Sequence, residues 1–197
     1  VKRDGEEAFE ALLALHRRID EATAGLVARH AGRLRCSRGC SSCCLDELSV
    51  RPVEAERIRR RQGALLRDAQ PHPPGACAFL DGFGACRIYE DRPAVCRSQG
   101  LPLRLLFEDE RGEIVEHRDI CPLNLEGGPP LARLDEEDCW LIGPHELQLA
   151  AIDARFLAGA SPADIDTDID IDAGGGDEGE EARVPLRSLF RRAPDGL

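Results

Sequence analysis

Four cysteines fall within nine residues, Cys36-Ser-Arg-Gly-Cys40-Ser-Ser-Cys43-Cys44, and no other feature of this 197-residue chain restricts its fold as much. A free buried cysteine behaves as a small hydrophobe, a fair account of any one of them and a poor account of four in a row. Five more follow at Cys77, Cys86, Cys96, Cys121 and Cys139. A disulfide scaffold calls for export, an oxidising compartment and usually an even count. The count here is odd, and the first residues are acidic and amphipathic with no signal-peptide core. A cytoplasmic protein with reduced, metal-binding thiols is therefore expected. The isolated Cys139 is expected to be a buried free thiol instead.

Charge and hydropathy narrow the function further. The formal net charge is −11, and it is uneven: residues 1–70 sum to +3, the remainder to −14. Nine acids and no base lie between Ser161 and Ala182. Phosphate backbones repel such a chain, so no nucleic-acid partner is expected. A membrane-spanning helix needs about twenty apolar residues. No apolar run here exceeds about five, so no membrane association is expected either. The chain has one lysine against 25 arginines, one asparagine (Asn124) and no methionine, a pattern of coding bias rather than of phosphate recognition.

The apolar spacing organises the rest. From Gly5 to Leu34, Phe9, Leu12, Leu13, His16, Ile19, Thr23, Leu26, Val27 and His30 recur at steps of three and four, one face of a helix. His16 and His30 are expected to be packed or capped there rather than to bind metal. The helix is expected to end near Gly32, and the cysteine run follows in a Ser/Gly-rich turn, with Gly39 free to take a positive φ beside Cys40. A second helix is predicted from Pro52 to Ala69, buried through Val53, Ile58 and Leu65, with the Arg57–Arg61 run solvated. Pro71, Pro73, Pro74 and Gly75 then interrupt it. Residues 101–118 read as a hairpin, Leu103–Phe107 against Glu113–His117, and a third helix runs from Pro144 to Leu157 with Gly159 as its stop. The Asp164–Asp172 alternation lacks the glycine and terminal glutamate of a calcium loop and reads as solvated linker. The predicted fold is thus α+β, mostly α. It is a small single domain over residues 1–160, with one β-hairpin and irregular loops organised around cysteine-ligated metal. An acidic Asp/Gly-rich linker (161–183) and a short segment (184–197) able to dock back follow.

Thiolates are soft ligands suited to zinc, copper(I) and iron–sulfur clusters. Cys36, Cys40, Cys43, Cys44, Cys77, Cys86, Cys96 and Cys121 would suffice for two four-thiolate sites. Consecutive side chains diverge along an extended chain, so Cys43 and Cys44 are expected to serve different ions, or only one of them to ligate. A zinc with four thiolates is formally dianionic, and Arg35, Arg38, Arg87, Arg92 and Arg97 lie close enough in sequence to donate to sulfur. Cys36-x3-Cys40-x2-Cys43 also has the spacing of the radical S-adenosylmethionine enzymes. It follows a helix rather than a first barrel strand, Ser42 replaces the usual aromatic, and Cys44 is additional. No HExxH, GxxxxGK or GxSxG motif is present, and no catalytic residue is assigned.

These residues resemble the CxxCxxCC cysteine-cluster family, also called YkgJ-like, a zinc- or iron-chelating domain. The resemblance rests on Cys36-x3-Cys40-x2-Cys43-Cys44, on Cys77-Ala-Phe-Leu-Asp81, and on Gly84-Ala-Cys86-Arg-Ile-Tyr89-Glu-Asp-Arg92-Pro93-Ala-Val-Cys96-Arg97. It extends to Cys121-Pro-Leu-Asn124 and covers about residues 34–100. It implies a small α or α+β metal-chelating domain without an assigned reaction. It also implies kinship with a cysteine-cluster domain of a flagellin lysine methylase, which makes an enzymatic member conceivable. The expected function is metal binding, zinc or iron, in a structural, chelating or metal-handling role. The alternative is an iron or iron–sulfur redox or modification enzyme with an open metal position.

Overall fold

The three-and-four spacing of the N-terminal residues folds as helix α1 (Lys2–Arg29) in a computed structural model that describes residues 2–159 and 182–190. Phe9, Leu12, His16, Ile19, Thr23 and Leu26 are buried as the spacing predicts. Leu13 and Val27 are not: they are 40% and 48% exposed, and Leu15 is fully buried in their place. At 3.6 residues per turn Leu13 falls about 100° from the centre of the buried stripe, while Leu15 lies about 60° from it on the opposite side, at the stripe's edge. The helix ends at Arg29, a little before the expected stop near Gly32. The chain curls at residues 30–34, where the amides of Arg33 and Leu34 both donate to His30 O, at 2.9 and 3.1 Å.

Helix α2 (Pro52–Asp68) begins with proline at its first turn, where the missing N–H has no helical partner in any case. It leaves helical geometry at Gln62 (φ −114°), and this kink rotates the last turn so that Leu66, not the predicted Leu65, is buried. The arginine run is not a uniformly solvated face. Arg57 is nearly buried and pairs with Asp91 at 2.9 Å, whereas Arg60 bonds to Glu56 one turn away and to Glu6. Asp91 also accepts from Gln62 at the kink, at 2.5 Å.

The hairpin forms from β2 (Leu103–Glu108) and β3 (Ile114–Asp119), antiparallel around a turn with Gly112 at φ 78°. A two-residue strand β4 (Trp140–Leu141) adds parallel to β2, giving the order β3-β2-β4. Helix α4 (Pro144–Gly159) packs along α1, with the Phe9 and Phe156 rings edge-on at 5.5 Å. One apolar core lies between them, through Leu12, Leu15, Ile19, Trp140, Leu149 and Ile152.

A second core is assembled around the cysteine-bearing loops. Strand β1 (Ser49–Val50) pairs antiparallel with β5 (Val184–Pro185), bringing the C-terminal segment back beneath α2. Leu186, Leu189 and Phe190 bury against Ile58, Phe79, Leu80, Ile88 and Cys77. A four-residue helix α3 (Ala94–Arg97) carries Cys96 and connects the two cores. Its first amide, Ala94 N–H, donates to Glu54 Oε1 of α2 at 2.7 Å, and that same oxygen lies 3.3 Å from His16 Nε2 of α1. Among the described residues, four α-helices and two small sheets make a small, mostly helical α+β fold. The acidic stretch at residues 161–181, expected as linker, lies outside the described residues.

Candidate metal centre

The loop after α1 is shaped by backbone packed on backbone. Gly39 (φ 89°) and Gly84 (φ 76°) face each other so closely that a Cβ on Gly84 would stand 2.8 Å from Gly39 O. Glycine at these turns lets the 36–44 loop lie on the 77–86 loop. Cys77 N–H then donates to Cys44 O at 2.9 Å, and Leu80 bridges to Cys86. Asp81 closes the second loop by accepting from the amides of Phe83 and Ala85, both at 2.8 Å. These amides hold its carboxyl below the usual range.

This lacing brings five thiols from three parts of the chain near enough for their charges to act on one another, without grouping any three of them as around one ion. Cys43 and Cys44 share a hydrogen bond, which the expected divergence of neighbouring side chains does not allow. The reason is local: Cys44 N–H donates to Ser41 O at 2.9 Å, so the backbone turns here rather than extending. The Cys44 thiol draws Cys43 down to about 6, with the Arg92 charge assisting. Cys44 itself is driven up by that hydrogen bond, by burial, and by the charges of Cys43, Cys77 and Cys96. Cys96 is pushed up to about 12, first by burial and then by the charges of Cys77, Cys86, Glu54 and Cys43. Burial raises Cys77 and Cys86 also, offset by Arg87 for both and by Arg187 and Arg92 respectively.

Of the arginines expected beside sulfur, Arg87 and Arg92 have their charge there. Arg97 does not. Its guanidinium goes to Asp20 Oδ2 at 2.5 Å and to the Arg92 carbonyl at 2.8 Å, fastening α3 to α1. Arg38 acts on Asp81, and Arg35 meets the turn at Asn124 through its backbone N–H.

The other three candidates are placed differently. Cys36 is exposed, with its sulfur 3.5 Å from Asn124 Nδ2. Cys121 is half-buried and begins the turn whose Asn124 amide donates to Cys121 O at 2.8 Å. Cys40 is half-buried beside Gly39, its amide turned back to Ser37 O at 3.0 Å. Cys139 is buried at the start of β4 and free. Sequence reasoning missed Glu54 and Gly100 as parts of this region, and neither left a signal. Asn124, the single asparagine of the chain, stood in the Cys121-Pro-Leu-Asn124 stretch of the resemblance without a role.

Chemically, the donor set fits a thiophilic ion. Sulfur arrives from three segments with basic side chains nearby, while a hard cation would want oxygen ligands. Among the described residues no three His, Cys, Asp or Glu side chains are grouped as they would be around one ion. No described helix is long and apolar enough to cross a membrane.

Residues 35–122 match the model of the CxxCxxCC family, described as a "putative zinc- or iron-chelating domain". No curated protein and no solved structure matches the chain. The match takes in every one of the eight candidate cysteines but less than half of the 197 residues, so it is this segment of the chain that is similar to the CxxCxxCC family.

Proposed function

We propose that the protein binds zinc or iron through one or two thiolate-ligated centres, in a structural, chelating or metal-handling role in the cytoplasm. The ligands are drawn from Cys36, Cys40, Cys43, Cys44, Cys77, Cys86, Cys96 and Cys121. The observation that carries this reading is the gathering of Cys43, Cys44, Cys77, Cys86 and Cys96, near enough for their charges to act on one another. Such a cluster of thiols is unstable as a set of free anions, and a soft cation is the partner that relieves it. Arg87 and Arg92 would offset the negative charge of the loaded centre.

Anaerobic purification, an absorption spectrum, and elemental and acid-labile sulfide analysis test this reading. Colourless protein with about one or two zinc ions per chain is the expected result for a closed thiolate site. Brown protein with iron and sulfide would replace it with an iron–sulfur protein. Folded, metal-free protein from metal-replete cells would overturn it.

A further inference from the structure

We propose that Asn124 is a positioning residue that holds the sulfur of Cys36 for the metal through an N–H···S hydrogen bond. The inference rests on the thiolate-metal reading above and deepens it.

Asn124 has no exposed surface. Its amide has only one way round. Oδ1 accepts from Arg35 N–H at 2.8 Å, and one Nδ2 proton goes to Gly100 O at 2.8 Å. Reversing the amide would set donor against donor and carbonyl against carbonyl. The remaining Nδ2 proton is directed at Cys36 Sγ, 3.5 Å away. The turn cannot yield easily, because buried Arg33 clamps it by donating to Asn124 O at 3.0 Å and to Leu125 O at 3.1 Å. Beside that amide stands Gly100 (φ 93°), where a Cβ would come within 2.5 Å of Cys36 Sγ and 3.4 Å of Asn124 Nδ2. The sulfur occupies the space a side chain at position 100 would need.

A buried amide proton is costly to leave unmatched, and a neutral thiol is a weak acceptor. A thiolate, bound to metal or free, is a strong one. Residue 36 is meanwhile exposed, so an ion has access to a sulfur that already has the Asn124 amide and the bare Gly100 backbone against it. The turn supplying the amide is the one that begins at Cys121, which places a second candidate ligand on the same short segment.

Cobalt(II) titration of the full chain under reducing, anaerobic conditions tests the proposal, with Cys36→Ser, Asn124→Ala and Gly100→Ala as variants. Cys36→Ser is expected to lower the sulfur-to-cobalt charge-transfer intensity. Asn124→Ala is expected to keep that intensity per bound cobalt but move the band to lower energy, since the sulfur lone pairs lose a stabilising proton. Its cobalt affinity should fall on the order of 10–100-fold, as for other residues that orient a metal ligand. Gly100→Ala, which leaves Asn124 in place but pushes on the sulfur, should lower the intensity as Cys36→Ser does. If Asn124→Ala fails to fold by circular dichroism, Asn124→Asp, which keeps the acceptor for Arg35 N–H and removes the amide protons, decides: a band moved to lower energy supports the proposal and an unmoved band overturns it. An unmoved band in folded Asn124→Ala would make Asn124 a residue of the fold only, and overturn it. A wild-type spectrum from Cys36→Ser would overturn it and leave the metal reading standing. Wild-type protein that takes up no cobalt would instead remove the metal reading, and this inference with it.

Discussion

Glu54 is a charged side chain with almost no exposed surface, and its two partners account for its position. Its Oε1 accepts from Ala94 N–H at the start of α3 and from the His16 ring, so one oxygen ties α1, α2 and α3 together. Replacing it by alanine leaves a backbone N–H and an imidazole N–H buried without partners. Glu54→Ala should therefore lose about 1–3 kcal/mol in urea unfolding, the usual cost of an unsatisfied buried group. Unchanged stability would show that solvent enters to replace the carboxylate. His16 faces Glu54, Arg97 and Arg57, and burial is the main cause that holds its pKa below the ordinary histidine value of 6.5. The two arginine charges add to that effect, while the Glu54 hydrogen bond opposes it. A base whose folded pKa lies beneath its unfolded one takes up more protons when unfolded. Its contribution is complete above 6.5 and is lost as the pH falls below that value. Urea midpoints should thus drop between about pH 7.5 and about pH 5.5, and the drop should be smaller in His16→Gln. An equal drop in the variant would assign the pH response to other groups.

At the scale of elements, the C-terminal segment depends on one arginine. Arg187 pairs with Asp46, at 2.7 Å from its Nε, and donates to the carbonyls of His72, Pro73 and Ala76. Three turns of the cysteine-bearing half therefore meet on a single guanidinium. Arg187→Ala should cost about 2 kcal/mol in chemical unfolding, through the loss of charge-assisted hydrogen bonds. Phe190→Ala, which removes the ring packed 5.0 Å from Phe79, should cost about 3 kcal/mol by opening a cavity. If both variants unfold like the wild type, the segment is not part of the second core. The partners of this segment also show where the sequence stops being legible. α1 and α2 announce themselves by local periodicity, because each buries one face over many residues, whereas the largely exposed hairpin is marked by its turn residues and α4 by Pro144 at its start and Gly159 at its end. β1, β4 and β5 are two residues each and exist only through partners far along the chain, Val50 with Val184 and Leu103 with Trp140. The cysteines were legible because few roles suit so many thiols at short spacing. Glu54, Gly100 and Arg33 were not, since their residue types are ordinary and only the fold gives them a sulfur-bearing loop to hold. Arg97 stood near Cys96 in sequence and was directed away from sulfur by Asp20, a partner on α1 that spacing does not reveal.

The whole molecule divides its apolar interior unevenly with respect to the thiols. The core between α1 and α4 holds Trp140, Leu149 and Ile152 and none of the eight candidate cysteines. The second core has Cys77 at its centre, with Cys44 and Cys86 packed on its margin. A bound ion stabilises the state that holds it, by about 2.7 kcal/mol when free metal is a hundredfold above its dissociation constant. That stabilisation belongs first to the second core, and it reaches the first only through α3 and the Glu54–His16 contact. Chelation should therefore act unevenly. Amide hydrogen exchange is expected to quicken in residues 40–97 and 182–190 while α4 keeps its protection. Fluorescence of Trp140, the only tryptophan, should change less on chelation than the exchange does, because the ring is buried in the first core. Deprotection of α4 in step with the cysteine loops would mean that the Glu54 bridge makes one cooperative unit of the two. Glu54→Ala would then be expected to separate them again, with α4 exchange no longer responding to the chelator.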